Sequence, residues 1–374
     1  MLYKNATVYL PDGGGVFKKT DIRTEGEIIA DTGAFEGEGA DCSGMVILPG
    51  FIDIHIHGCN GFDCTDGNPE SAGRMSEFLA SRGVTSFCPT TMTVDERLLA
   101  DSFENISKTM GKENGAYIHG INMEGPFISP AKKGAQSEKY IRDPDIELFM
   151  RLNEICPVRL VDIAPERTGA DEFIKEVKKI CRISAAHTQA SYEEAMRAFS
   201  LGVSHVTHLF NAMTQFGSRE PGLVGAAFDN ADDDFHCELI CDLIHIAPAT
   251  LRAAFKILGK DKTVVISDGT AAAGLGEGEY YLGGQKVIKT DAVRLQDGTL
   301  AGSSADLFGE FRNLISIGIP FDQIIASLTV NPASAIGADG ITGSIEKGKN
   351  ADFVILNGDM TEIIMTVVKG KRVF

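Results

Sequence analysis

Imidazole and carboxylate side chains in this sequence recur at the ends of short apolar runs. The run GFIDIHIH carries His55 and His57, and the residues that close other runs are Glu124, His187, His208, His245 and Asp268. Imidazole nitrogen combined with carboxylate oxygen suits zinc or iron(II) better than magnesium or calcium. If these runs end at one place in the fold, the sequence predicts a metal site there.

The positions of these residues in their runs predict different roles for them. His55 and His57 are two positions apart, so on a strand their side chains project from the same face. Glu124, at the end of its run, is placed to bridge two ions. Asp268 follows the apolar run TVVIS and precedes Gly269. We interpret Asp268 as a general base for a water whose pKa a metal ion lowers toward ~7, rather than as a helix N-cap.

Three further histidines receive a structural interpretation because they come too early in their runs to reach that place: His119, His205 and His236. His205 lies three residues before His208, which predicts that it faces the opposite side of a regular strand. The eight cysteines include no C-x-x-C pair. We expect them to be reduced thiols that pack as small hydrophobic side chains.

The elements that must position the site are strands alternating with helices. Between residues 49 and 338, eight apolar runs of strand length alternate with amphipathic stretches. This order predicts a (β/α)₈ barrel of the TIM type, in which the active site lies at the carboxyl ends of the strands. An open doubly wound sheet is the alternative, but no glycine-rich phosphate turn follows the first run. The segment 277–301 predicts a hairpin inserted after the eighth strand.

Both ends of the chain are rich in short runs that alternate apolar and polar residues between glycine and aspartate punctuation. ATVYLPDGG and MVILPG near the start resemble FVILNG and IIMTVVKGKRVF near the end. We therefore expect an α/β protein with a small β-sandwich domain made of 1–48 and 339–374. The catalytic barrel would span 49–338.

Composition narrows the possible partners. The 374 residues include 43% hydrophobic and 23% charged residues, and 35 Lys and Arg against 52 Asp and Glu give a net charge of −17. Such a surface repels a phosphate backbone and an anionic membrane, so we expect neither as a partner. An anionic small substrate would need local positive charge. No signal-peptide pattern and no membrane-length apolar run is found, which predicts a cytoplasmic protein.

A family resemblance enters at the same residues. PGFIDIHIHG (49–58), INMEGPFIS (121–129), AAHTQA (185–190), VTHLFNAM (206–213), REPGLVGAAFD (219–229) and SDGTAAAG (267–274) resemble, in kind and order, the N-acetylglucosamine-6-phosphate deacetylase family of the amidohydrolase superfamily. The likeness runs over essentially the whole chain. It implies a metal-bearing barrel with a small β-sandwich built from both termini. It also implies hydrolysis of the acetamide of N-acetylglucosamine 6-phosphate to glucosamine 6-phosphate and acetate, a step of amino-sugar metabolism.

The resemblance assigns the metal ligands residue by residue. By position, Glu124, His187 and His208 match the ligands of the family's common metal. His55 and His57 match the variant that holds a second ion alongside Glu124 and Asp268. The implied cofactor is one or two divalent ions per subunit, zinc with iron(II) as the alternative. Asp268 takes the position of the acid/base that accepts a proton from the attacking water and hands it to the leaving amine.

The resemblance also places the substrate. Asn211 and Ala212 match a sugar-phosphate-binding turn, and His245 matches a substrate-contacting histidine after the seventh strand. Arg219 matches an arginine that reaches the substrate phosphate of the neighbouring subunit, which implies a homodimer. Arg219 and His245 would supply the local positive charge that an anionic substrate needs on a chain of net charge −17.

One loop departs from the family pattern. Where the family has K-G-A-H, with a histidine that polarises the scissile carbonyl, this chain reads KKGAQ, with Gln136 in that place. An amide can donate a hydrogen bond but cannot become cationic. Two alternatives therefore stand: a deacetylase of another N-acylated amino-sugar phosphate, or one of an N-acyl amino acid. A non-catalytic binding homologue is disfavoured because every expected ligand and Asp268 are present.

Overall fold

The computed structural model describes residues 1–230, 232 and 234–374 of the chain. Its strands are, in chain order, β1 Leu2–Leu10, β2 Val16–Glu25, β3 Ile28–Gly33, β4 Ala40–Asp41, β5 Val46–Pro49, β6 Phe51–Ile56, β7 Gly58–Cys59, β8 Phe62–Asp63, β9 Val84–Thr91, β10 Tyr117–Ile118, β11 Ile121–Met123, β12 Val158–Ile163, β13 Arg182–Ala185, β14 His205–Val206, β15 His236–Ile240, β16 Thr263–Ile266, β17 Gly278–Leu282, β18 Gln285–Lys289, β19 Val293–Leu295, β20 Phe353–Leu356, β21 Ile363–Val368 and β22 Lys371–Arg372.

The α-helices lie mainly between the barrel strands. They are α1 Ser71–Ser81, α2 Glu96–Thr109, α3 Ile146–Ile155, α4 Ala170–Val177, α5 Tyr192–Leu201, α6 Gly222–Asp229, α7 Pro248–Leu258, α8 Leu307–Ser316, α9 Phe321–Leu328 and α10 Val330–Ala335. Side-chain caps start several of them, as in α5, where Ser191 and Glu194 form a reciprocal capping box. No helix in the part of the chain that the structure describes is both long and apolar enough to cross a membrane.

The central sheet is a parallel barrel. Its hydrogen-bonded order is β6-β9-β11-β12-β13-β14-β15-β16, with β10 also paired to β9. The circle closes beside β6, where the backbone N–H of Asp268 donates to the carbonyl of His55 at 3.0 Å. The third strand is interrupted at His119 and Gly120, so one predicted run forms two short strands, β10 and β11. The predicted (β/α)₈ barrel is confirmed.

Strands from both ends of the chain form a second sheet. Its order is β22-β21-β20-β5-β1-β2-β3, with β4 on β1, and it encloses its own buried cluster, which includes Tyr3, Ile22, Ile47 and Phe353. The separate β-rich unit predicted from the two ends is thus present. We propose that 1–48 and 339–374 make up this unit and that 49–338 make up the barrel.

The insertion after the eighth strand differs from its prediction. Segment 277–301 is a three-stranded antiparallel sheet, β17-β18-β19, instead of a hairpin. Its β17–β18 turn is tied to the barrel mouth, because Gly283 N donates to Asp63 Oδ2 at 2.9 Å and Gln285 Nε2 donates to the carbonyl of Ala135 at 2.5 Å. The insertion therefore forms one wall of the cavity above the strand ends.

Candidate active site

Six of the predicted residues converge at the carboxyl ends of the barrel strands. They form two buried groups, His55, His57 and Asp268 in one and Glu124, His187 and His208 in the other. Within each group the candidate ligand atoms all lie within 4.8 Å of one another. The strand-end pattern therefore brings together the residues that the sequence singled out.

Glu124 joins the two groups. Its Oε1 lies 3.1 Å from Nε2 of both His187 and His208, and its Oε2 lies 3.2 Å from Nε2 of His57. Across the site, Asp268 Oδ1 lies 3.3 Å from His57 Nε2 and 3.5 Å from His55 Nε2. A carboxylate between two sets of imidazoles has the arrangement of a bridging ligand.

Backbone and side-chain acceptors orient the imidazoles. Nδ1 of His57 faces the carbonyl of Thr90 at 2.9 Å, and Nδ1 of His187 faces the carbonyl of Lys132 at 2.7 Å. A carbonyl oxygen only accepts, so Nδ1 carries a proton, and Nε2 is the nitrogen that would present a lone pair to an ion once it is deprotonated. His55 Nε2 is buried without a hydrogen-bond partner among the described residues. Converging lone pairs and an orphaned buried nitrogen fit a divalent cation.

Unusual backbone conformations aim three of these side chains. His187, His208 and Asp268 each lie two residues after the end of a strand and have φ of 44°, 32° and 47°. Non-glycine residues rarely adopt this left-handed region, which costs of the order of 1 kcal/mol or more each and recurs at functional sites. The strand alternation ends there, and each side chain turns into the barrel mouth.

Electrostatics keep the two central carboxyls ionised. Burial alone would raise the pKa of Glu124, but the charges of His187 and His55 hold it well below its usual range. Burial likewise opposes ionisation of Asp268, yet its hydrogen bond to His57 brings its pKa below the ordinary value. Both groups are therefore available as anionic ligands or proton acceptors at neutral pH.

A cavity of about 330 Å³ opens over this cluster. Its wall includes the ligands His57, Glu124, His187, His208 and Asp268, together with the predicted substrate residues Gln136, Asn211, Ala212 and His245. Apolar side chains complete it, among them Met92, Ile240, Leu282 and Leu300. One pocket thus holds the metal-type cluster beside polar groups from several loops.

His245 reaches the cavity from a loop rather than from a strand end. The seventh strand, β15, ends at Ile240, five residues earlier, so the placement of His245 at the strand terminus was wrong. Its Nδ1 lies 2.7 Å from Asp242 Oδ2. Burial lowers the pKa of His245, but the hydrogen bond and charge of Asp242 outweigh it and raise the pKa above its usual value. The dyad favours a cationic imidazole at the rim.

Gln136 is held between the backbone and the metal-type cluster. Its Oε1 accepts a hydrogen bond from Thr93 N at 2.7 Å, and its Nε2 donates to Glu124 Oε2. The same Nε2 lies 3.5 Å from Met92 Sδ. The amide therefore points its donor toward the cluster at the cavity wall.

Arg219 lies apart from these residues in the single chain. It is exposed, on the loop after β14, and it does not belong to the lining of the cavity.

Comparison with known proteins adds to this geometry. The model of the amidohydrolase family matches residues 46–373. The chain belongs to the amidohydrolase family. Members of this family depend on metal, so the two groups around Glu124 are the candidate metal-binding residues of an amidohydrolase.

Several amidohydrolases of named activity are similar to the chain over most of its length. An N-acetylglucosamine-6-phosphate deacetylase of Bacillus subtilis (strain 168) is 38% identical, covering 88% of this chain and 85% of its own. An N-acetylgalactosamine-6-phosphate deacetylase of Escherichia coli O157:H7 is 32% identical, covering 84% of each chain. A Mycobacterium smegmatis N-acetyl-D-glucosamine-6-phosphate deacetylase variant, solved in complex with N-acetyl-D-glucosamine-6-phosphate, superposes with a TM-score of 0.91 at 27% identity, covering 100% of this chain and 99% of its own.

Sequence reasoning missed a buried carboxylate that supports this amidohydrolase site. Glu238, in the middle of β15, places Oε2 3.0 Å from Nδ1 of His55 and Oε1 3.1 Å from Nε2 of His205. Burial raises the pKa of Glu238, but the neighbouring His55 and His205 lower it to about 2. A lone acid inside the apolar run HCELIC is the signal that would have found it.

The same contact corrects the interpretation of His205. His205 shares Glu238 with His55 and so faces the barrel interior, like His208, although the regular strand alternation predicts opposite faces. The reason is the left-handed backbone at His208, which ends the alternation. His205 keeps its structural interpretation, and it lies beneath the candidate ligands, where it contacts Glu238.

Asp162 on β12 is a second residue that the sequence did not bring out. One of its carboxylate atoms lies within 4.8 Å of ligand atoms of His55 and Glu124, and Oδ1 accepts a hydrogen bond from Thr207 Oγ1 at 2.9 Å. The polar layer of the barrel interior therefore continues below the site on the fourth strand.

Proposed function

We propose that this chain is a metal-dependent deacetylase that hydrolyses N-acetylglucosamine 6-phosphate to glucosamine 6-phosphate and acetate. The observation that carries the proposal is Glu124 set between two imidazole groups at the mouth of an amidohydrolase barrel. Relatives with this named activity cover most of the chain, one of them at 38% identity. An amide of a small sugar phosphate fits the dimensions of a cavity of about 330 Å³.

The proposed cofactor is zinc, with iron(II) as the alternative. Nitrogen and carboxylate oxygen donors suit either ion. Glu124, His187 and His208 would hold the first ion, and His55 and His57, with Glu124 and Asp268, would hold a second. When bound, the ion supplies Lewis acidity toward the amide carbonyl and the attacking water.

Asp268 is the proposed acid/base. Its ionised carboxylate, 3.3 Å from His57 Nε2, faces the cavity. It accepts one proton from the water whose oxygen bonds to the carbonyl carbon. It then delivers this proton to the amide nitrogen as the C–N bond breaks, so that the free amine and acetic acid form, and the acid loses its remaining proton to give acetate.

The donor of Gln136 serves the carbonyl side of the same reaction. Thr93 N holds the amide oxygen at 2.7 Å and leaves the nitrogen directed at the cluster. A fixed donor at this wall stabilises the negative charge that develops on the carbonyl oxygen.

The substrate phosphate is proposed to lie at the rim of the cavity, away from the carbonyl that Gln136 contacts. Asn211 and Ala212 would form the turn that receives it, and His245, whose pKa the contact with Asp242 raises, lines the same cavity. Arg219 would enter from a second copy, so we propose a homodimer. The eight cysteines form no disulfide within the structure, which supports the reducing cytoplasm as the site of the reaction.

A second candidate keeps the chemistry and changes the sugar. Gln136 stands where the family pattern has histidine, and one relative at 32% identity is named for N-acetylgalactosamine 6-phosphate. We therefore retain other N-acylated amino-sugar phosphates as candidate substrates.

The deciding experiment measures metal content of the purified protein together with acetate release from a panel of compounds. The panel contains N-acetylglucosamine 6-phosphate, N-acetylgalactosamine 6-phosphate, unphosphorylated N-acetylglucosamine and an N-acetyl amino acid. The proposal expects bound metal and the highest kcat/KM on the first compound. A higher kcat/KM on the second compound would favour the second candidate. Metal-loaded protein that releases no acetate from either sugar phosphate would refute both.

A further inference from the structure

One lysine lines the catalytic cavity. Among the residues that the structure describes, Lys132 is the only Lys or Arg in the cavity wall. It ends the short helical turn Pro130–Lys132 that follows β11 and is half-buried. Its Nζ makes no hydrogen bond or ion pair with the described part of the chain, in contrast to Lys289, whose Nζ donates to two carbonyls. Lys132 therefore belongs to the cavity wall, and its ammonium group has no hydrogen-bond or ion-pair partner among the described residues.

Backbone contacts place Lys132 beside the proposed phosphate turn. The carbonyl of Lys132 accepts the hydrogen bond from His187 Nδ1 at 2.7 Å. The next residue, Thr188, donates its N–H to the carbonyl of Ala212 at 3.1 Å. Lys132, His187 and Ala212 are thus consecutive neighbours around the rim. The lysine stands on the side of the cavity where the sugar phosphate is proposed to bind.

The charge balance of the cavity calls for such a group. The carboxyl groups of Glu124 and Asp268 belong to the same wall, and the whole chain carries a net charge of −17. A phosphate dianion entering this field needs compensating positive charge, and a partly buried cation gives a stronger contact than an exposed one. Within one chain, Arg219 does not reach the cavity.

We propose that Lys132 binds the substrate phosphate from within the same chain. This inference rests on the proposed function and adds a binding residue to it. Lys132 sets the preference for phosphorylated over unphosphorylated N-acetyl sugars, whereas the chemistry at Asp268 and Gln136 is common to both. The contact is made equally in the bound ground state and in the transition state, so its loss raises KM more than it lowers kcat.

The test compares Lys132→Met with Lys133→Met. Lys132→Met keeps the backbone carbonyl that orients His187, and Lys133 is a half-buried neighbour that does not line the cavity. We expect Lys132→Met to lose about tenfold to a hundredfold in kcat/KM on N-acetylglucosamine 6-phosphate, mostly through KM, with metal content unchanged. The activity of Lys132→Met on unphosphorylated N-acetylglucosamine should stay within a few-fold of that of the unaltered protein. Lys133→Met and the rescue variant Lys132→Arg should likewise stay within a few-fold of the unaltered protein on N-acetylglucosamine 6-phosphate.

A binding measurement reads the same contact without turnover. In the Asp268→Asn background, calorimetry with inorganic phosphate should show binding that Lys132→Met weakens by a similar factor and Lys133→Met does not. Equal losses on both sugars, or unchanged phosphate binding, would overturn the inference. Failure of the proposed function would look different, because the unaltered metal-loaded protein would then release no acetate while the phosphate titration still reported on Lys132.

Discussion

Glu238 Oε2 lies 3.0 Å from Nδ1 of His55, and both side chains are fully buried. The two residues are 183 positions apart and belong to β15 and β6, which are separated by one strand, β16, in the closed barrel. An ionised carboxylate at Nδ1 fixes the imidazole tautomer, so that Nε2 faces Glu124 and Asp268. A residue that contributes no ligand atom thus sets the direction of a proposed ligand.

The first prediction concerns this pair. Glu238→Gln keeps the shape of the side chain but removes the charge that orients His55. We expect metal affinity to fall by about tenfold to a hundredfold, the usual effect of losing a carboxylate behind a metal-binding histidine. Competition with a chelator of known affinity measures it. Glu310→Gln, also buried but in contact with Cys241 N rather than a ligand, is the control. Equal affinities in all three proteins would contradict the assignment.

The second prediction concerns Asp268. Asp268→Asn retains an oxygen donor but can no longer accept a proton. We expect metal content near that of the unaltered protein while kcat falls by about 10²–10⁴, the usual contribution of a general acid–base group. Steady-state kinetics with metal analysis decide the point, and activity within a few-fold of the unaltered protein would remove Asp268 from the mechanism.

Gln136 is the subject of the third prediction. Gln136→Ala deletes a donor that Thr93 holds toward the cluster. Loss of one oxyanion donor costs about 10²–10³ in kcat, and we expect at least tenfold here because the metal carries part of the charge. Gln136→His should retain activity. Both variants are compared on two N-acetylated sugar phosphates, and an unaffected Gln136→Ala would show that the loop does not contact the carbonyl.

Arg219 allows a test of the proposed dimer. Arg219→Ala should lower kcat/KM on phosphorylated substrates by about tenfold to a hundredfold and leave unphosphorylated sugars unaffected. Mixing Arg219→Ala chains with Asp268→Asn chains should restore activity, because one site of each hybrid dimer then has both groups intact. Inactive mixtures of chains that do exchange would place Arg219 in its own subunit's site or outside both.

The last prediction links stability to pH through Glu310 on α8. Its Oε1 accepts from Cys241 N at 2.9 Å, whereas Oε2 is buried without a partner among the described residues. Burial, together with the negative charges of Asp242, Asp53 and Asp306, raises the pKa of Glu310 well above its usual value. The folded state therefore keeps a proton that the unfolded state releases, and stability is lost as pH rises from the unfolded pKa toward the folded one.

Glu310→Gln should remove this loss because the amide keeps the acceptor for Cys241 without ionising. Thermal unfolding of both proteins at pH 5 and pH 8 measures it. We expect the difference in melting temperature, Glu310→Gln minus the unaltered protein, to be more positive at pH 8 than at pH 5. Glu310→Ala, which loses the acceptor and leaves a cavity, should be destabilised at both pH values. A difference that does not change with pH would mean that Glu310 is ionised in the folded protein.

The sequence by itself determined the barrel and the residues gathered at its mouth. Parallel strands end at one face, so residues such as His55, Glu124 and His208 at the ends of apolar runs had to meet once the runs formed a single closed sheet. The β-rich ends were equally readable, because period-two alternation between turn residues is a local property.

Only the tertiary structure decided how these side chains point and what supports them. Left-handed backbone at His187, His208 and Asp268 cannot be inferred from a pattern that assumes regular strands. For this reason His205 and His208 both face the barrel interior, against expectation. The contact of Glu238 with His55 exists only because barrel closure brings β15 and β6 to the same mouth. Local periodicity fixes which face a residue takes within its own strand, whereas partners 183 positions apart are chosen by the packing of the whole sheet.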